Sequence, residues 1–217
     1  MQMSGTVGDR FEVIERHVRA GRVLDVGCLD WRSKSDSMSR RLQRKADLLY
    51  RRICRVNPDA VGVDLLEEGI DILRREGLDA RCADAVTMDL GEQFDCIVAG
   101  DIIEHVDNVG LCLGNLARHL KPDGVLILTT PNPYWSAQIG RIWSEGSPRV
   151  NEDHTAWFDP ITLRTALRRA RLEPFAAYWV LPAGGLRKRW RALFREYFSR
   201  SFVMLARHAA PEAPGHD

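Results

Sequence analysis

Short apolar runs that alternate with helix-like segments are the feature that most constrains the fold of this chain. Each run has four to six residues, and a glycine, a proline or an acidic residue ends or soon follows most of them, as is typical of buried strands. Strands that alternate with helices predict an α/β fold with a parallel sheet that is covered by helices on both faces. The predicted strands are 22–27, 60–64, 79–82, 94–99, 125–129, 175–180 and 202–206, and the predicted helices are 11–20, 36–56, 69–76, 111–120 and 161–172.

The length and composition indicate one globular domain, which we place at residues 1–208, followed by a flexible tail at 209–217. Hydrophobic residues make up 45% and charged residues 28% of the 217 residues, which excludes a disordered or collagen-like chain. No apolar run approaches the ~20 residues of a membrane span, and the first ten residues lack a signal-peptide core. The five cysteines include no CxxC pair, so we expect reduced cysteines in a cytoplasmic protein.

Charge is segregated along the chain, although the formal net charge is only +1. Residues 32–55 carry nine Lys or Arg and two acids, whereas residues 57–109 carry three Arg and fourteen acids. This segregation favours a charged ligand or an anionic partner. We predict basic helical inserts at 36–56 and 182–200, of which the second is amphipathic. For that insert, packing against the protein is the favoured interpretation, and peripheral contact of residues 186–200 with an anionic membrane is the alternative.

Acidic residues and glycines follow the predicted strands, at the edge where parallel α/β sheets bind their ligands. Asp25 and Gly27 close the first predicted strand, and a glycine there lets a ligand approach the backbone closely. Asp64 ends the next strand, where it is positioned to bind the two hydroxyl groups of a ribose. Asp84 follows the third strand and is suited to an adenine amino group, and Asp101 follows the fourth.

Taken together, these spacings resemble those of the class I S-adenosylmethionine-dependent methyltransferases over residues 23–172. The resemblance implies a Rossmann-like, doubly wound sheet of seven strands, mostly parallel, whose last strand is antiparallel. A nucleotide-binding sheet of the same layout is the other interpretation. Leu29 and Asp30 stand where the family usually has further glycines, which alters the expected methionine end of the pocket. The residues that the resemblance implies for binding S-adenosylmethionine are Asp25, Gly27, Cys28, Asp64, Leu65, Asp84, Ala85, Gly100 and Asp101.

Residues 100–106 combine two carboxylates with an imidazole. If this segment begins a helix, Asp101, Glu104 and His105 lie at i, i+3 and i+4 on one face. With the distant His154, they are suited to hold a divalent cation such as Mg²⁺ or Mn²⁺. The pattern resembles metal-dependent O-methyltransferases, including the ubiquinone-biosynthesis enzymes and the small-RNA 3′-end 2′-O-methyltransferases, which usually have Glu where Asp101 stands. Without a metal, His105 or His154 is the expected general base, because an unperturbed imidazole has a pKa near neutrality.

The resemblance predicts an enzyme that methylates an oxygen of a small-molecule or glycan-type acceptor, in a cell-envelope or secondary-metabolite pathway. An RNA 2′-O-methyltransferase is the first alternative, because the basic segments suit phosphate contacts. A non-catalytic S-adenosylmethionine-binding module is the second, supported by the altered turn at Leu29 and Asp30. Residues 134–143 are rich in aromatic and apolar side chains and form either a cover over the acceptor or a packed core helix. The protein is expected to be a monomer or a homodimer.

Overall fold

A computed structural model describes residues 2–29, 48–181, 194 and 198–210. Within these residues the chain forms eight strands and six helices, numbered here in chain order. The strands are β1 Gly5–Val7, β2 Val23–Val26, β3 Val61–Asp64, β4 Asp79–Cys82, β5 Phe94–Gly100, β6 Leu120–Pro131, β7 Leu172–Val180 and β8 Ser201–His208. The helices are α1 Phe11–Val18, α2 Leu49–Val56, α3 Glu67–Arg75, α4 Val109–His119, α5 Ser136–Glu145 and α6 Pro160–Arg169.

Several sequence predictions concern segments that lie outside the described residues. They include positions 36–47 of the first basic insert, most of the second insert with its predicted membrane contact at 186–200, and residues 211–217 of the tail. The single domain, the two inserts and the tail therefore stay predictions. Among the helices that the structure describes, none combines the length and the apolar character needed to cross a membrane.

All eight described strands belong to one sheet, in the order β1-β7-β8-β6-β5-β2-β3-β4. Neighbouring strands are parallel except at β8, which is antiparallel to both β6 and β7. The Rossmann-like arrangement and the antiparallel last strand are as predicted, but the expected count of seven strands was wrong, because eight are present among the described residues. The additional strand, β1, has three residues and pairs with β7. A strand of this length is too short to show a period of two.

The strand residues alternate between two hydrophobic cores, one on each face of the sheet. In β6, Leu126 and Leu128 join one core and Ile127 joins the other, because successive side chains of a strand point to opposite faces. Helices α4 and α6 contribute to the first core, and α1, α2 and α3 contribute to the second. Both faces are therefore covered, and the strand ends remain accessible to a ligand.

Local signals fix the two ends of the loop between α5 and α6. Asp159 begins α6 with a capping box, in which its carboxylate accepts hydrogen bonds from the amides of Ile161 and Thr162. Gly146, at φ 74°, ends α5 in the left-handed conformation that favours glycine. The loop between these ends reaches the turn after β5, where the amide of Thr155 donates to the carbonyl oxygen of Glu104.

Candidate active site

The turn after β2 carries the first residues predicted to bind the cofactor. Asp25 is buried in β2, and Gly27 takes a φ of 76° in the turn that follows. A Cβ atom at Gly27 would lie 3.2 Å from Cδ1 of Ile102, so both the backbone conformation and the close approach favour glycine. The amides of Gly27 and Cys28 donate to the carbonyl oxygen of Val63, which ties the turn to β3. Burial raises the pKa of the Cys28 thiol, which disfavours the nucleophilic thiolate.

The ends of β3 and β4 lie side by side and carry the acids predicted for the ribose and the adenine. Asp64 accepts hydrogen bonds from the amides of Leu29 at 3.1 Å and Leu66 at 3.2 Å. Burial raises the pKa of Asp64, and these two amides act against the rise. Asp84 lies in the turn after β4, where the amide of Ala83 donates to the carbonyl oxygen of Asp64 at 3.0 Å. Beside these acids, Leu65 is exposed and Ala85 is buried.

Asp101 follows β5 in a conformation that a helix does not allow. Its φ is 53°, and residues 103–105 form a turn, so the helical arrangement considered for this segment is not present. The Asp101 amide donates to the carbonyl oxygen of Thr129 at 2.9 Å, and its carboxylate accepts from Thr129 Oγ1 at 3.0 Å. Arg10 Nη1 also donates to this carboxylate, at 2.6 Å. These bonds fix Asp101 to β6 and to the N-terminal segment, while the preceding Gly100 pairs with Thr129 in the sheet.

Glu104, His105 and His154 form a group of metal-ligand type, in which one ligand atom from each lies within 4.8 Å of the others. The rings of His105 and His154 meet edge to face, with centroids 4.6 Å apart. Glu104 is 1% exposed, and its Oε2 accepts from Thr130 Oγ1 at 3.1 Å. Asp101 is not part of this group and instead forms an ion pair with Arg10. The structure thus brings together three of the four residues predicted to bind a metal.

Hydrogen bonds to the turn after β5 bring His154 to His105. The amide and the hydroxyl of Thr155 both donate to the carbonyl oxygen of Glu104, at 2.9 Å and 3.2 Å. The Nδ1 atom of His105 lies 3.1 Å from the carbonyl oxygen of Asp153. Because a carbonyl oxygen only accepts, Nδ1 carries the proton in this bond. The Nε2 atom of neutral His105 therefore has the lone pair, which suits it to take up a proton or to bind a cation.

The donor set of this group fits a divalent transition ion better than Mg²⁺. It offers one carboxylate and two imidazoles. Mg²⁺ prefers a shell of oxygen atoms, whereas imidazole nitrogen suits transition ions. Metal-binding histidines also usually donate their second nitrogen to a carboxylate or a backbone carbonyl, as His105 does here. Of the two ions predicted from the sequence, Mn²⁺ is therefore the better match.

A cavity of about 820 Å³, which we call the strand-end cavity, opens beside this group. Glu104, His105 and His154 all line it, together with residues of the N-terminal segment, α5, the loop after α5 and the start of β8. Of the residues predicted to bind the cofactor, Asp101 alone lines this cavity. The predicted cofactor residues and the Glu104–His105–His154 group therefore adjoin at Asp101. The volume lies in the range of cavities that bind small ligands, roughly 300–1,000 Å³.

Most of the aromatic segment at 134–143 belongs to α5, and the segment lies mostly at the surface. Trp135 lines the strand-end cavity, whereas Trp143 is 88% exposed. Gln138 is the buried residue of this helix, and its Nε2 donates to the carbonyl oxygen of Arg149 at 2.6 Å. The structure therefore contradicts the packed core helix and makes this segment one wall of the cavity.

Sequence reasoning missed several residues that line the strand-end cavity, including Arg10, Thr130, Arg141 and Arg149. Arg10 stands in a polar N-terminal segment, and no local pattern shows that it reaches Asp101. Arg141 and Arg149 lie in and after α5, where an arginine is typical of a solvated surface. Their common signal is proximity in the fold, which spacing along the chain does not contain.

Comparisons with known proteins bear on the identity of this site. The sequence family described as "Methyltransferase domain" matches residues 5–175, which is more than half of the chain. The chain belongs to this methyltransferase family. The ubiquinone biosynthesis O-methyltransferase of Bradyrhizobium diazoefficiens is 30% identical over 181 residues, which cover 74% of this chain and 65% of that protein. The class I S-adenosylmethionine-dependent methyltransferase expected from the sequence is thereby confirmed.

Solved structures share the fold of this methyltransferase. The CcbJ methyltransferase from Streptomyces caelestis matches with a TM-score of 0.62 at 16% identity, over 95% of this chain and 92% of that chain. The 1,6-didemethyltoxoflavin-N1-methyltransferase from Burkholderia thailandensis, solved with S-adenosylhomocysteine, matches with a TM-score of 0.58 at 21% identity, over 92% of this chain and 76% of that chain. Both likenesses concern the fold. This methyltransferase spans 65% of the length of the Bradyrhizobium diazoefficiens relative and 42% of a second ubiquinone biosynthesis O-methyltransferase, from another Bradyrhizobium strain.

Proposed function

We propose that this methyltransferase moves the methyl group of S-adenosylmethionine to an oxygen of a small-molecule or glycan-type acceptor, in a cell-envelope or secondary-metabolite pathway. The observation that carries the proposal is the Glu104–His105–His154 group, which lines a cavity together with Asp101. Such a group suits an acceptor that loses a proton during transfer, as a hydroxyl does. The relatives named ubiquinone biosynthesis O-methyltransferase favour the same acceptor atom.

In this proposal the cofactor lies along the ends of β2, β3 and β4. Asp64 binds the ribose hydroxyls, Asp84 binds the adenine, and residues 25–28 face the methionine part. The support is their location on neighbouring strand ends, where α/β sheets bind nucleotides. Since the amides of Gly27 and Cys28 already bond to β3, the turn contributes its shape rather than free donors. The other residues of the proposed cofactor set are Leu65, Ala85, Gly100 and Asp101.

The proposed reaction is an in-line displacement at the methyl carbon. A bond forms from the acceptor oxygen to this carbon while the bond from the carbon to the sulfonium sulfur breaks, and the acceptor proton leaves. His154 or His105 takes that proton, and for His105 the accepting atom is Nε2, because Nδ1 faces the Asp153 carbonyl. The buried carboxylate of Glu104 lies beside both rings, so its charge stabilises the imidazolium that forms. Positioning supplies much of the rate, since the methyl group is already activated.

A metal-assisted version of the proposal uses the same side chains as ligands. Glu104, His105 Nε2 and His154 would hold the ion, as their donor atoms fit a divalent transition metal. When bound, such an ion supplies a lower pKa and a fixed orientation to the acceptor hydroxyl. A chelator separates the two versions, because the histidines act as a base in one and as ligands in the other.

A labelled methyl group tests the proposal. The purified chain and S-adenosylmethionine labelled in its methyl group are incubated with an extract of the source cells, with and without a chelator. The product is then divided into RNA and non-RNA fractions. We expect label in the non-RNA fraction, and we expect His105→Ala and His154→Ala to abolish transfer while S-adenosylhomocysteine still binds. His17→Ala is the matched control, because His17 lies in α1 away from the cavity and should be dispensable.

Each other outcome points to a specific alternative. Label confined to RNA would overturn the acceptor class and favour an RNA 2′-O-methyltransferase. The basic segments 32–55 and 186–200 would support that activity, because Lys and Arg bind phosphates. Binding of S-adenosylhomocysteine without any transfer would favour the non-catalytic binding module. Full transfer by either histidine variant would show that this histidine has no chemical role.

A further inference from the structure

We propose that the acceptor carries an anionic group, a carboxylate or a phosphate, that binds to Arg141, Arg149 and Arg200 in the strand-end cavity. The inference rests on the proposed function, because it names the class of acceptor for the same site. Arg141 belongs to α5, Arg149 lies in the loop after α5, and Arg200 directly precedes β8. These three separate segments bring their arginines to the cavity that the Glu104–His105–His154 group also lines.

The charged residues that line this cavity differ in whether they already have a partner. Arg10 pairs with Asp101 at 2.6 Å, and Asp9 pairs at 2.6 Å with Arg52, which lies outside the lining. Glu104 is buried among the metal-type ligands. The other charged residues of the lining are Arg141, Arg149 and Arg200, and none of them forms an ion pair with a carboxylate within the ranges that the structure describes.

Hydrogen bonds fix the main chain at two of the three arginines, Arg149 and Arg200. Gln138, which lies one turn before Arg141, is buried, and its Nε2 donates to the carbonyl oxygen of Arg149 at 2.6 Å. This bond ties the loop after α5 to the helix. The carbonyl oxygen of Arg200 accepts from the amide of Asn132 at 2.8 Å, which joins the start of β8 to the end of β6.

An aromatic ring orients Arg200 in advance. Its guanidinium lies over the ring of Trp135, 4.9 Å from the ring centroid. This contact holds the guanidinium beside the ring, and the N–H donors of an arginine suit a bidentate bond to a carboxylate or a phosphate. Trp157, which is 40% exposed, lines the same cavity and offers apolar surface to the rest of the acceptor.

The division of charge in the cavity gives a bound acceptor a direction. Guanidinium groups attract the anionic end, while the carboxylate of Glu104 repels it, so that the hydroxyl end lies toward the histidines. The cavity volume of about 820 Å³ suits a small molecule. A nucleic acid would need further phosphate contacts along its backbone, so a small anionic acceptor is the favoured occupant.

A matched set of probes tests the inference without turnover. The full chain is saturated with S-adenosylhomocysteine, and calorimetry measures its affinity for 4-hydroxybenzoate, for phenyl phosphate and for the neutral 4-hydroxybenzamide. We expect at least one of the anions to bind about tenfold more tightly than the amide, because charge-assisted hydrogen bonds are stronger than neutral ones. The preference should shrink at about 1 M salt, which screens exposed charges. Equal affinities, or no binding of either anion, would overturn the inference.

Single substitutions show whether the arginines carry this preference. Arg141→Gln, Arg149→Gln and Arg200→Gln should each weaken binding of the anion by roughly tenfold, with binding of S-adenosylhomocysteine unchanged. Arg75→Gln is the matched control, because Arg75 is an exposed residue of α3 outside the cavity. A loss in the control as large as in the cavity variants would assign the effect to overall charge and contradict the proposed site.

The labelled extract separates failure of this inference from failure of the proposed function. A labelled non-RNA product that is retained on an anion exchanger at neutral pH would support both. A labelled non-RNA product that passes through the column would overturn the anionic acceptor and leave the proposed function intact. Binding of the anions through the arginines without any methyl transfer would support the anion site and overturn the proposed function.

Discussion

Replacing Arg10 tests how the N-terminal segment holds the end of β5. Its Nη1 lies 2.6 Å from Asp101 Oδ2 and 3.1 Å from Thr129 Oγ1, so Arg10→Gln removes the charge from two hydrogen bonds, of which the first is also an ion pair. The side chains of Arg10 and Asp101 are 21% and 15% exposed, which shields the pair more than a surface salt bridge. Asp101 also holds a φ of 53°, a conformation that its surroundings must support.

The expected loss follows from these contacts. A hydrogen bond that involves a charged group contributes about 1.5–3 kcal/mol. Because the pair keeps some contact with water, we expect Arg10→Gln to lower the free energy of unfolding by about 2 kcal/mol, below the sum of the two. For a chain of this length, such a loss corresponds to a fall in Tm of roughly 4–8 °C.

Urea unfolding followed by tryptophan fluorescence measures this loss, and a double-mutant cycle with Asp101→Asn isolates the pair. Asparagine tolerates the left-handed conformation, so this change removes mainly the charge. Arg19→Gln is the matched control, because it breaks an exposed pair with Glu15 and should cost less than about 0.5 kcal/mol. A coupling free energy between Arg10 and Asp101 below about 0.5 kcal/mol, or equal losses in the two arginine variants, would refute the reasoning.

Two further predictions concern the proposed cofactor side. Gly27→Ala should lower the free energy of unfolding by about 1–2 kcal/mol, because φ at this position is 76° and the added Cβ would press on Ile102. Gly77 has a similar φ of 83° but open space around it. Urea unfolding should therefore show a larger loss of stability for Gly27→Ala than for Gly77→Ala. Burial raises the pKa of Asp64, so the folded protein keeps the proton of this carboxyl group to a higher pH than the unfolded chain does. The contribution of Asp64 to stability therefore declines as pH rises from the unfolded pKa through the folded pKa. Asp64→Asn should therefore gain stability relative to the unsubstituted protein as pH rises above about 4, where the aspartates of an unfolded chain lose their protons. A difference that stays constant with pH would contradict the raised pKa.

The strands are largely predictable because each is a short apolar run with turn signals at its ends. The structure gives β4 the predicted bounds, and the ends of β2, β3 and β5 differ from the predicted ones by one residue or none. In contrast, β1 is a strand only through its pairing with β7, and β6 extends back to Leu120 because that residue pairs with Phe94 of β5. Such pairing partners are distant in sequence, so a local pattern does not contain them.

The candidate site is predictable in its residue types but not in its conformation. Carboxylate and imidazole chemistry, together with the resemblance to metal-dependent O-methyltransferases, predicts Glu104, His105 and His154, and the structure brings these three side chains together. The helical arrangement considered for residues 101–105 is replaced by a turn, in which Thr129 and Arg10 bind Asp101 from other parts of the chain. Spacing along the sequence predicts which side chains share a regular face, but it does not predict a turn that tertiary hydrogen bonds impose.

Glu104 organises the site through its main chain as well as its side chain. Its carbonyl oxygen accepts the amide and the hydroxyl of Thr155, which directly follows His154. A displacement of this loop that widened the strand-end cavity would break both bonds and carry His154 away from His105. Widening of the cavity and assembly of the Glu104–His105–His154 group would then exclude each other, so the acceptor would enter while the group is incomplete and react once the loop has returned.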